Sequence, residues 1–81
     1  MKQYLVKVRY ALSGLVVYEV ETDNIYRVIG KLVVTSTEHI ERIDYSRCTF
    51  EREQFWIDKG YKINIYKEPI LSEERSDNNA E

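Results

Sequence analysis

Few side chains in this sequence could carry out chemistry, and their spacing keeps them apart. His39 and Cys48 are its only histidine and cysteine, whereas a structural zinc site asks for four nitrogen or sulfur ligands at close spacing. No metal and no cofactor is therefore expected. Cys48 could act as a nucleophile only with a base at hand and in an electropositive, partly exposed niche. His39 lies nine residues before it on what reads as one strand, which at ~3.3 Å per residue separates the two by roughly 30 Å if the strand is unbroken. Glu19 and Glu21 share a strand face beside Lys7, and Glu51 and Glu53 straddle Arg52, so these carboxylates read as solvated surface charge rather than as an acid–base pair. The three glycines are isolated at 14, 30 and 60, and none forms a phosphate-binding loop. The expectation is a protein that is not an enzyme.

The elements that must position these residues follow from periodicity. Lys2 to Tyr10 alternate, with Tyr4, Val6, Val8 and Tyr10 on one face and Leu5, Lys7 and Arg9 on the other. A second strand from Leu15 to Glu21 sets Val16, Tyr18 and Val20 against Leu15, Val17 and Glu19. Pairing Tyr10 with Val16, Val8 with Tyr18 and Val6 with Val20 keeps the two apolar faces together and brings Lys7 opposite Glu19. Thr22 to Val34 is the one stretch with a sustained helical period: at 100° per residue Ile25, Tyr26, Val28, Ile29, Leu32 and Val33 fall on one arc. Thr22, Asp23 or Asn24 can cap it. Gly30 costs roughly 1 kcal/mol in a helix interior, so a shorter helix ending there, followed by a strand from Lys31 to Thr35, is the rival reading.

His39 to Arg47 reads as a third strand with Ile43 and Tyr45 on one side and Arg42, Asp44 and Ser46 on the other. The apolar residues of Phe50 to Lys59 scatter around a helical wheel, so this segment reads better as a strand than as a helix. Asp58-Lys59-Gly60 then serves as a three-residue hairpin loop, pairing Ile57 with Tyr61 and Phe55 with Ile63. Tyr61, Ile63 and Ile65 face inward in this scheme and Lys62, Asn64 and Tyr66 outward, while Pro69 ends the strand. The predicted fold is α+β, of β-β-α-β-β-β layout: one antiparallel sheet with a single helix packed on one face.

The 81 residues suit one small domain, with 43% apolar and 32% charged residues as in ordinary globular chains. The net charge of −2 conceals an uneven distribution. Residues 68–81 hold five acidic side chains against Arg75, a net −4, and residues 1–67 hold eleven basic against nine acidic, a net +2. A single α+β domain over 1–67 with an acidic, disordered tail over 68–81 is expected. A body this mildly basic lacks the electrostatic footprint of a typical DNA-binding domain. Nothing resembling a signal peptide, a lone cysteine and no apolar run of the ~20 residues that span a bilayer point to a cytoplasmic protein without membrane partners.

One helix covers only one face of a sheet, and the expected layout supplies nothing for the other. The bare face would present Lys7 and Arg9 from the first strand, Val17 from the second, and Arg52, Trp56, Lys62, Asn64 and Tyr66 from the final hairpin. Tryptophan, tyrosine and arginine together make up binding hot spots, so a protein partner at this face is the leading expectation. The alternative is single-stranded RNA or DNA, with Trp56 and Tyr66 stacking on bases and the basic side chains meeting phosphates; the interleaved Glu19, Glu21, Glu51 and Glu53 oppose it. A homodimer burying Leu5, Leu15, Val17 and Trp56 is a third reading.

In layout, MKQYLVKVRY as a first strand, a second ending YEVET, a helix, and strands such as HIERIDY and FWIDKGYKINIY resemble small accessory proteins of bacteriophages and other mobile elements, including some anti-CRISPR proteins that inhibit type I surveillance complexes. The resemblance covers about residues 1–67. It implies a non-catalytic protein that occupies a surface of a host nucleoprotein complex, and it carries over no individual binding residue.

Overall fold

The structure is a computed structural model that describes residues 1–67; the acidic tail expected over 68–81 lies outside the described residues. Strands β1 (Lys2–Tyr10) and β2 (Gly14–Thr22) form the antiparallel hairpin that the alternation predicts. The faces agree with expectation, but the register differs by two residues: Tyr10 is opposite Gly14, Val8 opposite Val16 and Val6 opposite Tyr18. Gly14 is the reason. Its φ of +79° lies in the left-handed region that only glycine enters freely, so the loop closes over Ala11–Ser13 and β2 begins one residue earlier than predicted. Lys7 consequently faces Val17, and the expected Lys7–Glu19 pair is not formed. Glu38 secures the loop by accepting from the amides of Leu12 (2.7 Å) and Ser13 (3.0 Å) and from the Ser13 hydroxyl (2.6 Å), which satisfies donors the hairpin itself leaves open.

Helix α1 (Ile25–Thr35) is capped by Asn24, whose side chain accepts from the Arg27 amide at 3.2 Å. Thr22, fully buried, accepts from the Asn24 amide and thereby turns the chain out of β2. The helix runs through Gly30, which excludes the rival reading of a break there. Ile25, Val28 and Leu32 pack with Val6, Val8 and Val20 as the main core. Tyr26 and Val33, predicted on the buried arc, are instead exposed, Tyr26 by 70%; the apolar stripe is narrower than the wheel suggested.

Strand β3 (Ile40–Arg47) pairs antiparallel with the free edge of β1, placing Ile43 beside Val8 and Tyr45 beside Val6. The next segment corrects the sequence reading. Phe50–Asp58 is a helix, α2, not a strand, and the pairs Ile57–Tyr61 and Phe55–Ile63 do not exist as a hairpin. Its ends dictate its form more than its hydrophobic pattern does. Thr49 accepts from the Arg52 amide at 3.2 Å, and Glu51 and Glu53 in the first turn complement the positive helix start. At the other end Gly60, with φ +94°, makes a Schellman motif: Gly60 donates to Ile57 at 2.9 Å and Tyr61 to Trp56 at 3.0 Å.

Strand β4 (Ile63–Tyr66) adds parallel to β2, giving one mixed sheet of order β3-β1-β2-β4 in place of the antiparallel sheet expected. Because β2 and β3 are both antiparallel to β1, β2–α1–β3 is a parallel crossover; β3–α2–β4 is another, travelling back across the sheet in the opposite direction. Two crossovers of the same hand that travel in opposite directions must place their helices on opposite faces. The layout is thus β-β-α-β-α-β with the sheet between two helices. Leu5 and Val17, on the face expected to be bare, are both 0% exposed although they lie outside the α1 core: α2 covers them. That burial removes the homodimer reading that used Leu5 and Val17 as contact surface.

Candidate binding cleft

On the α2 side, β1 contributes Lys7 and Arg9, β2 contributes Leu15, β3 contributes Arg42 and Asp44, and α2 contributes Trp56. Together they line an open cleft of about 190 Å³. It exists because α2 is too short to cover the whole sheet face: the helix seals Leu5 and Val17 and stops before the end that carries Arg9 and Leu15. The Lys7 ammonium stands 5.0 Å from the centre of the Trp56 ring, a cation–π distance. Trp56 also meets Phe55 and Tyr61 edge-on, with ring centres 5.2 and 5.5 Å apart. Its ring is thus fixed on three sides by neighbours.

Charge in the cleft is unbalanced. Arg42 Nε donates to Asp44 Oδ2 at 2.8 Å, while Arg9, exposed, has no counter-charge among the described residues and is the direct cross-strand neighbour of Arg42. Like charges directly opposite on a sheet are unfavourable. Three cations therefore share one carboxylate, and the open groups are guanidinium N–H donors suited to carboxylate or phosphate oxygens.

The residues predicted from sequence divide. Lys7, Arg9 and Trp56 come together as expected, and Arg52 lies next to them on α2, in an adjoining groove with Lys7, Phe55 and Trp56. Val17 lies beneath α2 and is closed to a partner. Asn64 and Tyr66 are aligned with Tyr18 and Val20 on the α1 face, where Tyr66 packs edge-on against Tyr18 at 6.3 Å; Lys62 is exposed ahead of β4 at the far side of the sheet. The parallel addition of β4 reverses the inward and outward sides read for this strand, leaving Ile65 72% exposed. Arg42 and Asp44 were the omission. Their shared side of β3 was readable, but its alignment with Arg9 required knowing that β3 pairs with β1.

His39 and Cys48 flank opposite ends of the unbroken β3. The Cys48 thiol is pushed above its ordinary value by burial first and then by the carboxylates of Glu19 and Glu53, conditions that favour the thiol over the reactive thiolate. Among the described residues no three His, Cys, Asp or Glu side chains converge as a metal site, and no helix is long and apolar enough to cross a membrane.

The fold and cleft together define a class: a three-layered α+β domain, helices on both faces of a mixed sheet, with a basic, aromatic-walled cleft where one helix ends. No protein-family model, curated protein or solved structure matches the chain.

Proposed function

We propose that the protein is a non-catalytic binding module that captures an acidic protein surface in the cleft beside α2. The observation that carries this reading is the uncompensated Arg9 held against Arg42 with Trp56 as the wall. A carboxylate entering there would accept from both guanidinium groups and relieve their repulsion. The phage-type inhibitor suggested by layout belongs to the same proposal, with a surface of a host nucleoprotein complex as partner. Its support is narrower than the sequence implied, because FWIDKGYKINIY forms a helix, a turn and a parallel strand rather than paired strands.

Single-stranded nucleic acid is the second reading, favoured by Lys7, Arg9, Arg42 and Arg52 around one tryptophan. The protein reading is preferred because Tyr66 packs on the other face and the Trp56 ring is already engaged by Lys7, which leaves no free stacking platform of the kind such proteins use. Trp56 is the only tryptophan, so its fluorescence reports directly. Titration with a Glu/Asp-rich peptide and, separately, with a single-stranded oligonucleotide of equal charge tests the assignment. Saturable quenching by the peptide that weakens about tenfold in Arg9→Ala is expected. Equal peptide binding by wild type and Arg9→Ala would remove the cleft as the site, and tighter, steeply salt-dependent oligonucleotide binding would favour the second reading.

A further inference from the structure

The outer edge of β3 is a second surface with a definite chemistry. Among the described residues no strand pairs with the outer side of β3, so at one end of the sheet an eight-residue strand presents its backbone groups, an arrangement that natural sheets protect with lysine, proline or a covering segment. IERIDYSR contains neither lysine nor proline. Its charges are arranged instead to suit a copy of itself. Arg42 and Asp44 point to the same side on either flank of Ile43, so an antiparallel twin centred on Ile43 sets each Arg42 opposite the other chain's Asp44, twice, with Ile43 meeting Ile43.

The neighbouring in-phase registers are poorer. Centring on Asp44 pairs Glu41 with Arg47 twice but confronts two carboxylates at its middle, and centring on Arg42 confronts two guanidinium groups. A register centred on Tyr45 forms no opposite-charge pair. The in-chain bridge also leaves capacity for such a pairing: Arg42 uses Nε alone and Asp44 uses Oδ2 alone. The terminal guanidinium nitrogens and Asp44 Oδ1 thus remain available at the edge.

We infer that β3 is a self-recognition edge: two copies of this chain join antiparallel through β3 about Ile43, continuing the sheet to eight strands and closing a ring of two arginines and two aspartates. The two-fold axis stands perpendicular to the sheet, so both binding clefts open on the same side and adjoin across the seam. Arg42 and Asp44 also line the cleft, but self-association is read from mass in the absence of any ligand, so its outcome is separate from what the cleft binds.

Charge exchange tests it. Arg42→Asp places aspartate opposite aspartate, and Asp44→Arg places arginine opposite arginine; Arg42 is exposed and Asp44 half-exposed in an open cleft, so the fold, checked by circular dichroism, is expected to persist. Sedimentation velocity up to the millimolar range should show wild type reaching twice the monomer mass, each single variant dimerising roughly tenfold or more weakly, and dimer recovered both in an equimolar mixture of the two variants and in the double exchange. A wild type that stays monomeric overturns the inference, as do single variants that dimerise like wild type or a mixture that fails to recover.

Discussion

Tyr61 holds the end of α2 against Trp56 twice over, donating its amide to the Trp56 carbonyl at 3.0 Å and setting its ring edge-on to the indole at 5.5 Å. Backbone closure and side-chain contact coincide, as they do when the residue after a left-handed glycine folds back on the last helical turn. The helix end and the wall of the cleft are therefore one structure.

Gly60→Ala should expose this coupling. A side chain at φ +94° costs about 1–2 kcal/mol, with no clash to add because the space around Gly60 is open. Urea denaturation followed by Trp56 fluorescence should show that loss, together with a red-shifted native emission as the indole is released. A variant as stable as wild type would mean that Gly60 does not terminate α2.

Leu5→Ala measures the cover that α2 provides. Leu5 is fully buried on the α2 face, and truncating such a leucine costs about 2–5 kcal/mol, a large part of the stability of so small a domain. Phe50→Ala, at a residue 75% exposed, should stay within about 0.5 kcal/mol of wild type. Similar losses in both would contradict the placement of α2 over Leu5.

Glu38 makes stability depend on acid. Its carboxyl is held below the ordinary glutamate value of 4.5 chiefly by the Ser13 hydroxyl and then by the amides of Leu12 and Ser13. The folded state thus binds the proton less readily than the unfolded chain, so this contribution is complete above pH 4.5 and fades as pH falls through the lowered value. Urea midpoints between pH 7 and pH 3 should decline, and Glu38→Gln should decline less steeply from a lower starting point. Parallel profiles would show that the loop clamp is not the source.

Tyr10 sets the alkaline limit. Burial first, then its hydrogen bond to Tyr18 at 3.1 Å, raises its hydroxyl well above the usual tyrosine range. The folded state keeps this proton longer than the unfolded chain does, so the contribution is intact below about pH 10 and is lost as pH climbs beyond it. Spectrophotometric titration should lose one late-titrating tyrosine in Tyr10→Phe, while Tyr45, raised chiefly by its hydrogen bond to Tyr26, stays late in both proteins.

The hairpin, α1 and β3 were legible because each has a buried side with a clean period. Face parity followed from Val6, Val8 and Val20, whereas the two-residue register error arose because alternation cannot distinguish one in-phase register from the next, and the deciding residue was Gly14. Helix α2 was hidden for the opposite reason. Phe50, Phe55 and Ile57 remain in water, so its apolar residues need not share an arc, and its signals were Thr49, the acids after it and Gly60. Reading Gly60 as a hairpin glycine made β4 antiparallel and turned Tyr66 to the wrong face. Lys7, Arg9 and Trp56 survived as neighbours because the side of β1 that carries the first two is independent of how the last third of the chain folds.

The return crossover through α2 has a consequence for how the molecule is assembled. Residues up to Arg47 already supply β1, β2, α1 and β3, so a nascent chain can complete its first core while Leu5 and Val17 still face water. Only when Trp56 and β4 follow is that greasy underside roofed, so the last third of the chain closes the second side of the sheet.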